Sequence, residues 1–92
     1  MMYVYILTNP RKTVFYTGVT NNLKRRLQEH IKNRGNPKTF AGKYFCHKLI
    51  YFETFDKPKE AIKREKEIKK LSHQNKLQLI KIKNPKLIFY SL

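Results

Sequence analysis

The sequence predicts an α+β domain, a small, mostly antiparallel sheet with helices in the order β-β-α-β-α-α. Two patterns lead there. β-branched and aromatic runs broken by turn residues fill the N-terminal stretch, and helical spacing with recognisable caps fills most of the remainder. The 92 residues make one expected domain, 1–92, because a chain of this size hides only ~60–65% of its unfolded surface and has no apolar area for a second core.

Each element has its own signal. Met2-Tyr3-Val4-Tyr5-Ile6-Leu7 is rich in strand formers and stops at Asn9-Pro10, a turn pair. Thr13-Val14-Phe15-Tyr16-Thr17 is again strand-like and is closed by Gly18, so the short connection predicts an antiparallel hairpin. Asn21 or Asn22 can cap a helix in which Leu23, Leu27 and Ile31 recur at four-residue spacing until Gly35. Asn36 to Ala41 is punctuated like a surface loop, and Arg34, Lys38 and Lys43 around it make it basic. Phe45 through Glu53 predicts a third strand. Phe45, Leu49 and Tyr51 would share one face and Cys46, Ile50 and Phe52 the other, a two-sided pattern that predicts a central position. Asp56 and Pro58 mark the start of a second helix carrying Ala61, Ile62, Ile68 and Leu71. Ser72 can cap a third helix carrying Leu77, Leu79, Ile80 and Ile82, which Asn84-Pro85 ends, and the apolar tail Leu87 to Tyr90 is expected to pack back.

Composition narrows the partner. Twenty-one Lys and Arg against six Asp and Glu leave a net charge of +15, which points to a polyanion. With 40% hydrophobic and 13% aromatic residues, the chain is too apolar for a disordered basic tail. Cys46 is the single cysteine, so neither a disulfide framework nor a structural zinc site is available, and a reducing, cytoplasmic setting is expected. No apolar run approaches the ~18–20 residues of a membrane span, so no membrane partner is expected. GxGxxG, P-loop, CxxC and paired-carboxylate patterns are absent, which leaves little room for nucleotide binding, a zinc ribbon or glycosidase chemistry.

Polar residues that occupy apolar positions are the candidate site. On the first helix, Arg26 and His30 share one edge of the buried stripe, whereas Arg25 and Glu29 fall on the opposite side. Arg26 snorkelling from the edge and His30 as a satisfied core residue would explain the pair equally simply. On the second helix Glu65 falls on the apolar face while Glu60 and Glu67 point outward. A carboxylate there needs a cation, either an Arg or Lys bridging two elements or a metal ion. Tyr3, Tyr5 and Tyr16 cluster on the hairpin, where a core aromatic role is the simpler reading.

Taken in order, Tyr3-Val4-Tyr5, Tyr16-Thr17-Gly18, the run Asn22 to His30 with its Leu-x-x-Arg-x-x-x-His spacing, and Arg64-Glu65-Lys66 resemble the GIY-YIG nuclease family across most of the chain. Thr39 to Tyr44 and Ile62 to Lys70 look most like small single-domain members related to the catalytic module of the excision-repair excinuclease. The resemblance implies a three-stranded sheet flanked by helices and a phosphodiesterase using Mg²⁺ or Mn²⁺. It assigns Tyr5, Tyr16, Arg26 and His30 to the catalytic centre and Glu65 to the metal, with Asn84 as the downstream asparagine and Asn75 its competitor. The chain departs from the pattern at Tyr3, where the name-giving motif has Gly, at Thr17, where it has Ile, and at Val19, where excision-repair relatives often carry Lys.

Two functions follow as expectations. The first is a metal-dependent endonuclease acting on nucleic acid, DNA more than RNA, with structure-directed or low sequence specificity; a targeting protein partner would have to supply any more. Arg34, Lys38 and Lys43 would contact the backbone. The alternative is a non-catalytic basic nucleic-acid-binding module, to which a carboxylate at Glu65 would bring nothing.

Overall fold

The computed structural model describes residues 1–92. It comprises β1 (Met2–Thr8), β2 (Phe15–Thr20), α1 (Leu23–Lys32), a short α2 (Phe40–Lys43), β3 (Lys48–Phe55), α3 (Pro58–Lys69) and α4 (His73–Lys83). The three strands form one antiparallel sheet in the order β2-β1-β3, so the α+β architecture and its element order are as expected.

The central strand, however, is β1 and not β3. Val4, Tyr5, Ile6, Leu7 and Thr8 are consecutively buried, as a strand covered on both faces and paired on both edges must be. The two-sided apolar pattern of β3 has a different cause. The strand starts at Lys48, after Phe45 has turned away with φ of 57°, and its register against β1 slips between Ile6 and Leu7. That bulge brings Ile50 and Tyr51 into the same apolar cluster and leaves Leu49 on the other side with Leu7, so Leu49 and Tyr51 do not share a face. The outer edge of β3 is covered at Leu49 by the returning tail, through the Tyr90 N–H donated to the Leu49 carbonyl at 2.8 Å.

Two apolar clusters sandwich the sheet. Beneath α3 and α4 lie Val4, Ile6, Phe15, Ile50, Ala61, Ile68 and Ile80; beneath α1 and α2 lie Tyr5, Leu7, Leu23, Ala41, Cys46 and Leu49. The stripes read from helical spacing are narrower than expected, since Ile31, Ile62 and Ile82 are exposed. Capping is as the sequence suggests at two helices: Asn22 accepts from the Arg25 N–H and Ser72 from the Asn75 N–H. At α3 the cap position is Lys57, with no side-chain bond, and Pro58 rather than Asp56 sets the start. Of the stretch expected to be a loop, Asn36 to Thr39 are turn or irregular, but Phe40 and Ala41 open α2, because the Thr39 hydroxyl accepts from the Gly42 N–H and the backbone of Asn33 and Asn36 closes over Gly42, leaving no space for a Cβ there.

Thr17, the departure from the family motif, faces the α3 side with its hydroxyl buried and without a partner. A buried orphan hydroxyl costs about 1–3 kcal/mol. Thr17→Val, which keeps the β-branched shape, should therefore raise the melting temperature by several degrees; a lower melting temperature would show that the hydroxyl is bonded after all.

Candidate active site

The hairpin register places the two tyrosines. Tyr5 pairs with Gly18 and Leu7 with Tyr16, so both phenols project on the α1 face, with ring centroids 6.4 Å apart. Gly18 lies inside β2 instead of ending it. The Tyr5 ring crosses directly over it, and a Cβ at position 18 would overlap the Tyr5 hydroxyl and ring, so glycine is required by close approach.

α1 lies over this face and, as its spacing predicts, aims Arg26 and His30 at the tyrosines. The Tyr5 hydroxyl and His30 Nε2 are 3.1 Å apart, and the His30 ring lies 5.3 Å from that of Tyr16. Burial, with the neighbouring Tyr16, pushes the Tyr5 phenol up to about 12. It stays protonated and can donate to a neutral imidazole. Burial, helped by the Arg26 charge, holds the His30 imidazole below its usual range, and the Tyr5 phenol stabilises the Arg26 cation.

Tyr16, Arg26, His30, Asn33, Thr39 and Phe40 line a cleft of about 340 Å³. Glu29 lines it too, contrary to the outward placement expected, and its carboxylate lies 3.4 Å from Arg26 Nη1 one turn back on the helix. The sequence signal for this is the i,i+3 spacing of two opposite charges, which lets Glu29 lean across toward Arg26.

Glu65 approaches from α3. Its side chain is 15% exposed, and its charge reaches Tyr5, where it adds to the rise of the phenol. Its one ion-pair partner is Lys69, 3.6 Å away on the same helix and itself 52% exposed. The bridge between two elements that the sequence allows for Glu65 is made instead by its neighbour. Arg64 Nε lies 3.0 Å from Glu53 on β3, and the Tyr51 hydroxyl also donates to Glu53. Burial works against the Glu53 carboxylate, but Arg64 and Tyr51 together hold it below its ordinary range. No local pattern announces this pair, since its two residues sit on different elements and meet only when α3 packs on the sheet.

No three His, Cys, Asp or Glu side chains are grouped to hold a metal. A lone partly buried carboxylate without a tight protein partner does fit Mg²⁺ or Mn²⁺, hard ions that keep several waters and take phosphate oxygens as ligands.

The remaining candidates lie elsewhere. The Asn84 side chain donates to the carbonyls of Ile50 and Ile88 and accepts from the Ile88 N–H, which uses its amide to pin the tail to β3. Asn75 is exposed in the first turn of α4. Arg34 donates to the Ile31 carbonyl at 2.7 Å and faces a groove beside the C-terminal residues, away from the cleft, whereas Lys38 and Lys43 are exposed in the chain to either side of the cleft residues Thr39, Phe40 and Ala41. Tyr3 lies edge-on to Phe52.

The His30 environment has a thermodynamic consequence. With its folded-state affinity for protons lowered from 6.5, the unfolded chain takes up this proton first, so stability falls as pH drops below about 6.5 and is unaffected by this group above that. A second decline belongs to Glu53, whose carboxylate is favoured in the fold, and sets in as pH falls through about 4.5. Melting curves of His30→Gln should lose the first decline and keep the second. A first decline that survives the substitution would assign it to another group.

Comparison with known proteins identifies the family. The GIY-YIG catalytic domain family matches residues 1–78. The UPF0213 protein of Clostridium perfringens is 44% identical over 94% of this chain and 89% of its own. That of Syntrophus aciditrophicus is 45% identical over 90% of this chain and 92% of its own. The solution NMR structure of a UPF0213 protein from Bacillus halodurans shares the fold with a TM-score of 0.57 and 33% identity, covering 94% of this chain and 89% of that one. With its family model matched over residues 1–78 and relatives identical at more than a third of their positions along nearly their whole length, the chain belongs to the GIY-YIG family of nuclease domains, among the small UPF0213 proteins.

Proposed function

We propose that this protein is an endonuclease that hydrolyses DNA phosphodiester bonds with the help of Mg²⁺ or Mn²⁺ held by Glu65. One observation carries the reading: a cleft is lined by Tyr16, Arg26 and His30, and Tyr5, bonded to His30 behind it, feels the charge of Glu65, a carboxylate with no strong protein partner, in a chain of net charge +15. Glu65 would hold the ion, whose chemistry there would be positive charge offered to the phosphate.

The protein's own groups divide the remaining work. Tyr16, at the cleft wall, gives its phenol proton to solvent and, as the phenolate, takes the proton of the attacking water. Tyr5, buried and protonated, fixes the imidazole of His30 by its hydrogen bond, and the neutral imidazole can pass a proton on. Arg26 is paired with Glu29 in the free protein, and a phosphate entering the cleft offers it a stronger, bidentate partner. Lys38 and Lys43 hold the flanking backbone. A binding-only module gains nothing from Glu65, which repels phosphate.

The test incubates the purified protein with duplex, nicked, branched and single-stranded DNA, with and without Mg²⁺ or Mn²⁺. Cleavage should require the metal, and binding should weaken steeply with salt as counterion release dictates. Salt-sensitive binding with no cleavage of any substrate would support the non-catalytic module.

A further inference from the structure

The proposed chemistry leaves the aromatic wall at the mouth of the cleft without a task. Phe40 and its neighbour Tyr44 are 52% and 41% exposed, and their ring centroids lie 4.8 Å apart. Phe40 also lies 6.4 Å from Tyr16 with its ring plane inclined by only 28°. Single exposed aromatics are ordinary on protein surfaces. Here two rings, Phe40 and then Tyr44, extend in series from that of Tyr16.

The backbone beneath them is fixed. Thr39 caps α2, Ala41 and Gly42 are buried, and the Gly35 N–H donates to the Gly42 carbonyl at 2.8 Å. The fold thus holds the main chain firmly while leaving the Phe40 ring in solvent. Cations surround the wall: Lys43 Nζ lies 5.4 Å from the Tyr44 ring centroid, Lys38 is exposed beside Thr39, and Arg26 shares the cleft. Apolar rings alone would suit a protein partner as well, but the cations favour a polyanion. Rings set among cations are the combination by which proteins hold single strands, the ring taking a base face and the cations the phosphates. In an intact duplex both faces of every base are covered by its neighbours.

We propose that Phe40, backed by Tyr44, is a stacking platform for one unpaired nucleobase adjoining the phosphate held at Arg26. The preferred substrate is then DNA with a free base face beside the scissile bond: a single-stranded end, a flap, a gap or a junction. The position of that phosphate rests on the nuclease reading, whereas stacking can be measured with no cleavage at all.

The experiment is fluorescence anisotropy on the full chain without divalent metal. The probes are a labelled duplex, the same duplex bearing a single-stranded flap, and that flap with abasic sites in its unpaired positions. The flap should bind more tightly than the duplex, and the abasic flap should lose that advantage. Phe40→Ala should weaken flap binding roughly tenfold with duplex affinity and the salt slope unchanged, and Phe40→Trp should retain the parent affinity. Equal losses on flap and duplex, or an abasic flap that binds as well as the normal one, overturn the platform. Metal-dependent cleavage without base dependence keeps the proposed function and removes the platform. Base-dependent binding without cleavage does the reverse.

Discussion

Arg26→Ala is expected to lower cleavage by roughly 10²–10³-fold, the loss typical of removing one preorganised donor from developing oxyanion charge. Binding should change little, since one of 21 cationic residues is removed. The geometry explains the asymmetry. Arg26 lines the cleft beside Tyr16 and His30, and the buried phenol of Tyr5 stabilises its charge. Arg25, one residue earlier, is exposed and not among the cleft residues, so Arg25→Ala should alter binding by no more than any other surface cation and leave the turnover rate intact. Single-turnover rates at saturating protein make the comparison, because they separate chemistry from affinity. Equal losses for the two variants would mean that Arg26 acts only as one more phosphate contact.

Much of this arrangement is legible in the sequence for a definite reason. Local rules decide hairpins and helix faces, and Tyr5, Tyr16, Arg26 and His30 all lie on β1, β2 and α1, whose pairing and phase follow from short-range pattern. What is not legible depends on longer range. Strand order turns on which strand has both edges paired, and the apolar alternation of β3 is counterfeited by a bulge and by a tail pairing from forty residues away, roughly the separation of Leu49 and Tyr90. Asn84 resembles a site residue by order along the chain, yet its amide is used by backbone groups that only the returning tail brings near it. Glu29 departs from its expected side by side-chain reach, which a helical wheel ignores. α2 is too short, at four residues, to show any periodicity, although its Thr39 cap stands in plain view.

Glu65→Gln should abolish metal-dependent cleavage, by at least ~10³-fold, while the protein folds and binds DNA at least as well as the parent. The amide keeps the size of the side chain and removes the charge that a divalent ion needs. Loss of one repelling carboxylate favours phosphate binding slightly. Stability should hardly move, because the one ion-pair partner is a half-exposed lysine on the same helix, and such pairs contribute about 0.3–0.5 kcal/mol. The neighbouring Glu53→Gln is the contrasting case. Glu53 ties β3 to α3 through Arg64 and accepts from Tyr51, so its neutralisation leaves a guanidinium short of its partner and should lower stability by roughly 2–3 kcal/mol. Residual cleavage by Glu53→Gln, measured per folded molecule below its lowered melting temperature, should match the parent. The two substitutions thus separate a carboxylate kept for chemistry from one kept for the fold. A large drop in melting temperature for Glu65→Gln, with cleavage intact in the surviving folded fraction, would reverse the assignment and return the protein to the binding-only class.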